Sequence, residues 1–424
     1  MTTKSEFMKK IQTVIKNQGP GLLFASMAIG TSHLVLSTKA GATYGWFMVI
    51  PILLANLLKY PFFEFSVRYT NRTGKSIIEG YRNRGKGYLA LYAFITLATT
   101  FASPAALCTI TAGLLINLLG IEGVSISTIA LGLFLFNSIL LIAGKYTLLE
   151  RTLKVVIPIL FVALLITTGL VINAGAVPYI TDFSPPAILD EAGILFLITL
   201  IGWMPTAVET SSWLSLWSVE KYKIAQETPP LKEALKEFNS GYTITSILAF
   251  FFLTIGCMTL YGSGSGLSGS AVIFADQVIT LFTTQIGNWA YVFIAVSAFA
   301  TMYSTCLTNH DAIARVFIEI IDLFKEKRAA NAAEKHYPYA VLFLALISSV
   351  VLSVFEGNMG VILSLATFIS FVLAPIVGYM NLKNVLSKEL QVSDHPGTKL
   401  RLLTYAGISF LSGLALFYGW SLLF

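Results

Sequence analysis

The chain has 424 residues, of which 55% are hydrophobic and only 12% charged. Soluble proteins carry about a quarter charged residues, so this composition excludes an ordinary globular enzyme and places the chain in a bilayer. The net charge of +6 collects on one set of loops, which makes it topological and argues against a nucleic-acid surface.

Apolar runs of spanning length recur about eleven times, centred roughly on residues 21–45, 46–67, 88–118, 125–143, 152–174, 192–217, 241–261, 273–307, 338–355, 360–380 and 402–423. The stretch before the first run holds Lys4, Lys9, Lys10 and Lys16 but no small-residue cleavage site, so no removable signal is predicted. The first run is interrupted by Gly30-Thr31-Ser32-His33, and Lys39 lies near its outer end, where it can snorkel. The second carries Lys59 and Glu64, five residues apart and so not closely facing. The sixth, about 193–217, is interrupted by Gly202-Trp203-Met204-Pro205-Thr206, with Glu209 about one turn beyond. The eighth ends in Thr305, Thr308, Asn309 and His310, either lining a vestibule or entering the cytoplasm. A loop at 308–337 follows, with an amphipathic stretch from Ala312 to Phe324 predicted to lie on the membrane surface or pack on the bundle. Cys108, Cys257 and Cys306 fall inside predicted helices, scattered as small buried residues with no disulfide or metal spacing.

With the amino terminus inside, the inner loops hold Arg68, Arg72, Lys75, Arg82, Arg84 and Lys86, then Lys145, Arg151 and Lys154, then Lys221, Lys223, Lys232 and Lys236. Arg315, Lys325, Lys327, Arg328, Lys335, Lys383, Lys388, Lys399 and Arg401 extend the pattern, while the outer loops carry Asp182, Asp190 and Glu191 or the linker 262–270. The expected location is a plasma (inner) membrane, with the amino terminus cytoplasmic and the carboxyl terminus outside.

Helix-breaking residues at mid-bilayer free backbone groups that are tolerated only around a cavity or within protein. A matched pair of interrupted spans, one in each half, points to a transporter's substrate site. The spans divide as five, five and one, with repeats at about 19–175 and 190–382 and an extra helix at about 400–423. Because five is odd, the second set enters with opposite orientation, the arithmetic of an inverted repeat. The expected fold is a single all-α transmembrane domain, 1–424, of about eleven helices with the first and sixth broken.

Gly19-Pro20-Gly21-Leu22-Leu23, Ala40-Gly41-Ala42-Thr43-Tyr44-Gly45, Ala55-Asn56-Leu57-Leu58, Thr73-Gly74-Lys75 and Met204-Pro205 resemble, in order and spacing, the natural resistance-associated macrophage protein (Nramp) family of divalent-metal transporters. The resemblance implies a LeuT-like architecture and transport of a metal such as manganese or iron by alternating access, with the transported ion as the sole metal and no cofactor. It carries over Met204 and the Ile201 carbonyl as ligands. The departures fall on the chemistry: the family's Asp-Pro-Gly-Asn lands on Gly30-Thr31-Ser32-His33, its proton-route acids on Thr100 and Ser103, its histidine on Thr206 and its glutamine on Gly360.

The candidate binding set is therefore Gly30, Thr31, Ser32, His33, Ile201, Met204 and Thr206. Imidazole plus thioether leans toward softer transition metals, yet a site without a carboxylate holds a dication poorly. His33 reads as ligand, proton carrier, donor to an anionic cargo or a brace for the break. Glu209, an acid deep in the membrane, reads as counter-charge, proton-coupling group or structural ion pair, with Lys59 and Glu64 as further coupling candidates. No nucleophile triad, phosphate loop or zinc motif is present, so neither an enzyme nor a hydrolysis-driven pump is expected. Three functions stay open: a metal transporter, a same-fold carrier of a small organic solute or anion, and, less favoured, a non-transporting sensor or scaffold. The lipid bilayer is the expected surrounding, with no nucleic-acid or protein partner.

Overall fold

The computed structural model describes residues 19–100, 102–268, 270–325, 332–354 and 359–421. Lys4, Lys9, Lys10, Lys16, Lys327 and Arg328 lie outside the described residues. Helices are α1 (Pro20–Ile29), α2 (Thr38–Tyr44), α3 (Val49–Thr73), α4 (Ile77–Arg84), α5 (Lys86–Thr100), α6 (Ala102–Leu119), α7 (Ile126–Ala174) and α8 (Glu191–Trp203). They continue as α9 (Ser211–Ala225), α10 (Leu231–Thr259), α11 (Ala271–Ile286), α12 (Tyr291–Lys325), α13 (Ala332–Val354), α14 (Met359–Val385) and α15 (Thr398–Ser421). No strand occurs among the described residues.

Nine stretches among the described residues are helical, long and apolar enough to cross a bilayer. One of them, Ser32–Thr73, turns back at Gly45, whose φ of +67° suits glycine. Dividing that stretch there and adding α12 gives eleven apolar helical segments, the number the sequence predicts, two of which, Ile126–Gly144 and Tyr146–Ala174, lie within the continuous α7.

The first span packs against α10 so closely that side chains are excluded. A Cβ on Gly241 would lie 2.2 Å from the Gly21 carbonyl oxygen, and one on Gly256 would lie 2.1 Å from that of Thr38. Small residues at such crossings let helix backbones touch, which is how membrane helices associate without a hydrophobic drive. Two other crossings meet through sulfur: Cys108 Sγ on α6 lies 2.7 Å from Cys306 Sγ on α12, though both thiols are free.

Three elements differ from expectation. The eighth run is two helices, α11 and α12, and α12 carries on to Lys325 through what reads as the start of a loop. Its polar residues are held inside the bundle: Asp311 accepts from Trp217 Nε1 (2.8 Å), Tyr337 Oη (2.5 Å) and Arg315 Nε (2.9 Å). The amphipathic stretch thus packs on the bundle, with Ile313, Val316 and Ile320 buried. The inner loop expected at Lys145–Lys154 is helical, because residues 145–154 contain no glycine or proline and Tyr146, Leu149 and Leu153 are buried against the bundle.

At the end that the charge pattern assigns to the inside, the start of α1 is latched. Gly19 N and Gly21 N both donate to Glu237 Oε1 of α10, the latter at 3.2 Å. A carboxylate at a helix amino terminus meets free N–H groups and a favourable dipole. Lys221 lies 3.7 Å from Glu237 and 4.0 Å from Glu150, so α1, α7, α9 and α10 converge on this point.

Candidate functional site

In the sixth span, Pro205 brings no N–H and disfavours helix for Met204, which is extended at φ −97°, ψ 123°. The Met204-Pro205 peptide is cis. The chain stays open until a 3-10 turn at Val208–Thr210 and resumes as α9. In the first span, Gly30 leaves the helical region at ψ −116° and Ser32–Ser37 continues in π form. Single π turns inside α-helices cluster at functional positions. Gly30 is where α1 meets α12: a Cβ there would lie 2.5 Å from Thr305 Oγ1.

The breaks face each other. Ser32 Oγ lies 3.1 Å from the Pro205 carbonyl, 2.6 Å from that of Ala28 and 2.7 Å from His33 Nδ1, three acceptors among which its one hydroxyl proton must choose. His33 turns away from the gap: Nε2 lies 2.8 Å from the Thr245 carbonyl on α10, which only accepts, so Nε2 carries the proton.

Between the breaks lies a cavity of about 40 Å³, lined by Thr31, Ser32, Trp203, Thr206 and Glu209, with Trp213, Asn309 and Ser370 among its walls. One water needs roughly 10–15 Å³, so this is room for a small polar group. Glu209 Oε1 accepts from Ser370 Oγ at 2.8 Å, and Trp203 Nε1 donates to the same hydroxyl at 3.1 Å. Glu209 Oε2 is buried without a hydrogen-bond partner, as are Thr31 Oγ1 and Asn309 Oδ1. The nearby Thr99 hydroxyl influences the carboxylate but is committed to the Ile95 carbonyl at 3.1 Å. Orphaned polar atoms are rare in folded interiors, and three around one cavity call for a ligand or water that donates.

Lys59 is fully buried, and its Nζ lies 2.9 Å from the carbonyl oxygens of Ile201, Met204 and Thr206 and 3.0 Å from that of Gly202. Glu209 is the charge that acts on it through space.

Of the seven residues the sequence nominates for binding, Thr31, Ser32 and Thr206 line the cavity; Gly30, His33, Ile201 and Met204 do not. The Ile201 carbonyl, a metal ligand by resemblance, accepts instead from an ammonium. Of the coupling candidates, Glu209 is in the cavity wall and Lys59 directly behind it. Glu64 is elsewhere, paired at 2.5 Å with Arg68 on its own helix, whose Nη1 also donates to the Asp394 carbonyl. Lys39 is exposed. Ser370 escapes sequence reading; its only signal is a lone hydroxyl in the apolar run Phe368-Ile369-Ser370-Phe371. Among the described residues, no group of three or more His, Cys, Asp or Glu side chains is placed to hold a metal.

The apolar spans, two facing breaks and a cavity between them define an all-α, multi-pass membrane protein of the LeuT fold. Solved structures agree on that fold. A mutant of the Eremococcus coleocola manganese transporter superposes with a TM-score of 0.70 at 14% identity, covering 96% of this chain and 86% of that one. MhsT in complex with L-phenylalanine gives 0.66 at 13% identity, covering 95% and 99%. Mhp1, a nucleobase-cation-symport-1 family transporter with bromovinylhydantoin bound, gives 0.56 at 13%, covering 96% and 92%. No family model matches the sequence. The chain is 32% identical to the uncharacterized protein PM0681 of Pasteurella multocida (strain Pm70) over 99% of its own length and 98% of that protein's, and it belongs to that protein's family.

Proposed function

We propose that the chain is a secondary transporter that carries a small, amine-bearing solute across the plasma membrane by alternating access. The observation that carries this reading is the cavity wall: one carboxylate oxygen and two neutral oxygens, all buried and partnerless, with no lysine or arginine among the described residues lining it. The carboxylate and the Asn309 amide oxygen accept only and the Thr31 hydroxyl can accept, which suits a protonated amine bringing N–H groups and a positive charge, with Trp203 and Trp213 also in the wall. An anionic cargo is poorly served by this wall. Facing breaks in opposed halves are the arrangement through which such proteins alternate. The lysines of the inner end support a cytoplasmic amino terminus and, with an odd number of spans, an outer carboxyl terminus.

A divalent-metal cargo is the second reading, favoured by Met204-Pro205 and by the likeness to a manganese transporter. Against it stands Lys59. Its ammonium already holds the Ile201 carbonyl that the resemblance assigns to a metal, and among the described residues no cluster of three His, Cys, Asp or Glu side chains is placed to replace it. Uptake into proteoliposomes decides between them. The expected result is saturable uptake of one or more small amines and none of manganese or iron; saturable manganese uptake, blind to amines, would instead establish the second reading.

A further inference from the structure

Four backbone carbonyls converge on the single nitrogen of Lys59, all within 3.0 Å, and all four come from the opened part of the sixth span or the turn before it. An ammonium has three N–H donors, so one of them is shared between two carbonyls. Ile201 and Gly202 belong to the last turn of α8, where the dipole is negative; the Ile201 carbonyl also accepts from Met204 N at 3.3 Å. Met204 and Thr206 are freed by the break itself. Emptied, the shell would leave four carbonyl oxygens aimed at one dry point, with the Met204 N bond to Ile201 as the backbone bond remaining among them. This is the geometry of an ion-coordination shell, occupied by a side chain from another helix.

We infer that Lys59 is a tethered cation: the open form of the sixth span requires one positive charge within this shell, and α3 supplies it permanently. The shell is thereby closed to a free co-ion in the native protein. Removing the side chain turns it into a site for a free monovalent cation of the potassium, sodium or methylammonium kind. The inference does not depend on the cargo, since its readout is the stability of the purified protein.

The test is thermal unfolding of full-length protein in detergent, in chloride salts of sodium, potassium, methylammonium or N-methyl-D-glucamine at equal ionic strength. Wild type is expected to give the same Tm within about 1 °C in all four. Lys59→Ala is expected to fall by about 10 °C or more in the bulky cation and to recover several degrees, saturably, in at least one small cation. A Lys59→Ala variant as stable as wild type, or equally unstable in every salt, overturns the inference, as does a wild-type Tm that rises saturably with sodium or potassium. Lys59→Met covers the case in which the alanine variant does not fold: it keeps the stem without the charge, is expected to be destabilised in every salt, and overturns the inference if it matches wild type. Uptake that fails on the whole cargo panel while these shifts appear would remove the transport reading and leave this one standing.

Discussion

At Gly30 the first span loses its regular helix for about one residue and recovers as a π segment, Ser32–Ser37, whose amides again find carbonyls: His33 N and Leu34 N both bond the Gly30 carbonyl, at 3.2 and 2.9 Å. At Met204 the sixth span stays open as far as Val208, because proline cannot rejoin the ladder, and its carbonyls are gathered by a lysine from α3. The first break therefore offers side-chain hydroxyls to the gap, and the second offers Glu209. The difference separates two ways of making a polar site in lipid: bend a helix and keep its own bonds, or open it and import a charge.

Glu209→Gln bears most heavily on that division. It keeps the Ser370 bond and removes only the charge, so uptake is expected to fall about 100-fold while Tm holds; undiminished uptake would take the carboxylate out of cargo binding. Ser370→Ala should act through Glu209 and Trp203 together, since both lose the same hydroxyl. A stability cost of about 1–3 kcal/mol and a rise of about tenfold in the KM for uptake are expected, and an unchanged KM would mean the carboxylate needs no orientation. His33→Ala tests the first break, where the ring bonds the Thr245 carbonyl of α10 and stands outside the cavity lining. The expected loss is about 1–3 kcal/mol in chemical denaturation, with uptake per folded molecule within about threefold; abolished uptake at full stability would instead return His33 to the transport route. The smallest effect belongs to Glu64→Gln, which breaks a pair outside the cavity and should leave uptake within experimental scatter.

The breaks were legible because their causes are local: Gly30 and Pro205 write backbone chemistry into the sequence. Thr31, Ser32 and Thr206 could be placed at the gap for the same reason. His33 could not, because a π turn changes the angular spacing of side chains, and that turn aims the imidazole at Thr245. Lys59 was conspicuous as a deep lysine, but carbonyl acceptors carry no sequence identity, so its shell could be found only in three dimensions. The polar run from Thr308 to Asp311 resembles a helix end until Trp217, Tyr337 and Arg315, two of them distant in sequence, are seen to satisfy Asp311 within the bundle.

Alternating exposure of the gap between the two breaks is the claim on which the transport reading stands. It is tested by placing a single cysteine at Thr206 after Cys108, Cys257 and Cys306 have been changed to serine. A membrane-impermeant thiol reagent is then applied from one side of oriented vesicles and, separately, from the other. The account predicts labelling of Thr206→Cys from both sides, slowed by the transported amine. Labelling from one side only, or none at all in a variant that still transports, would contradict it.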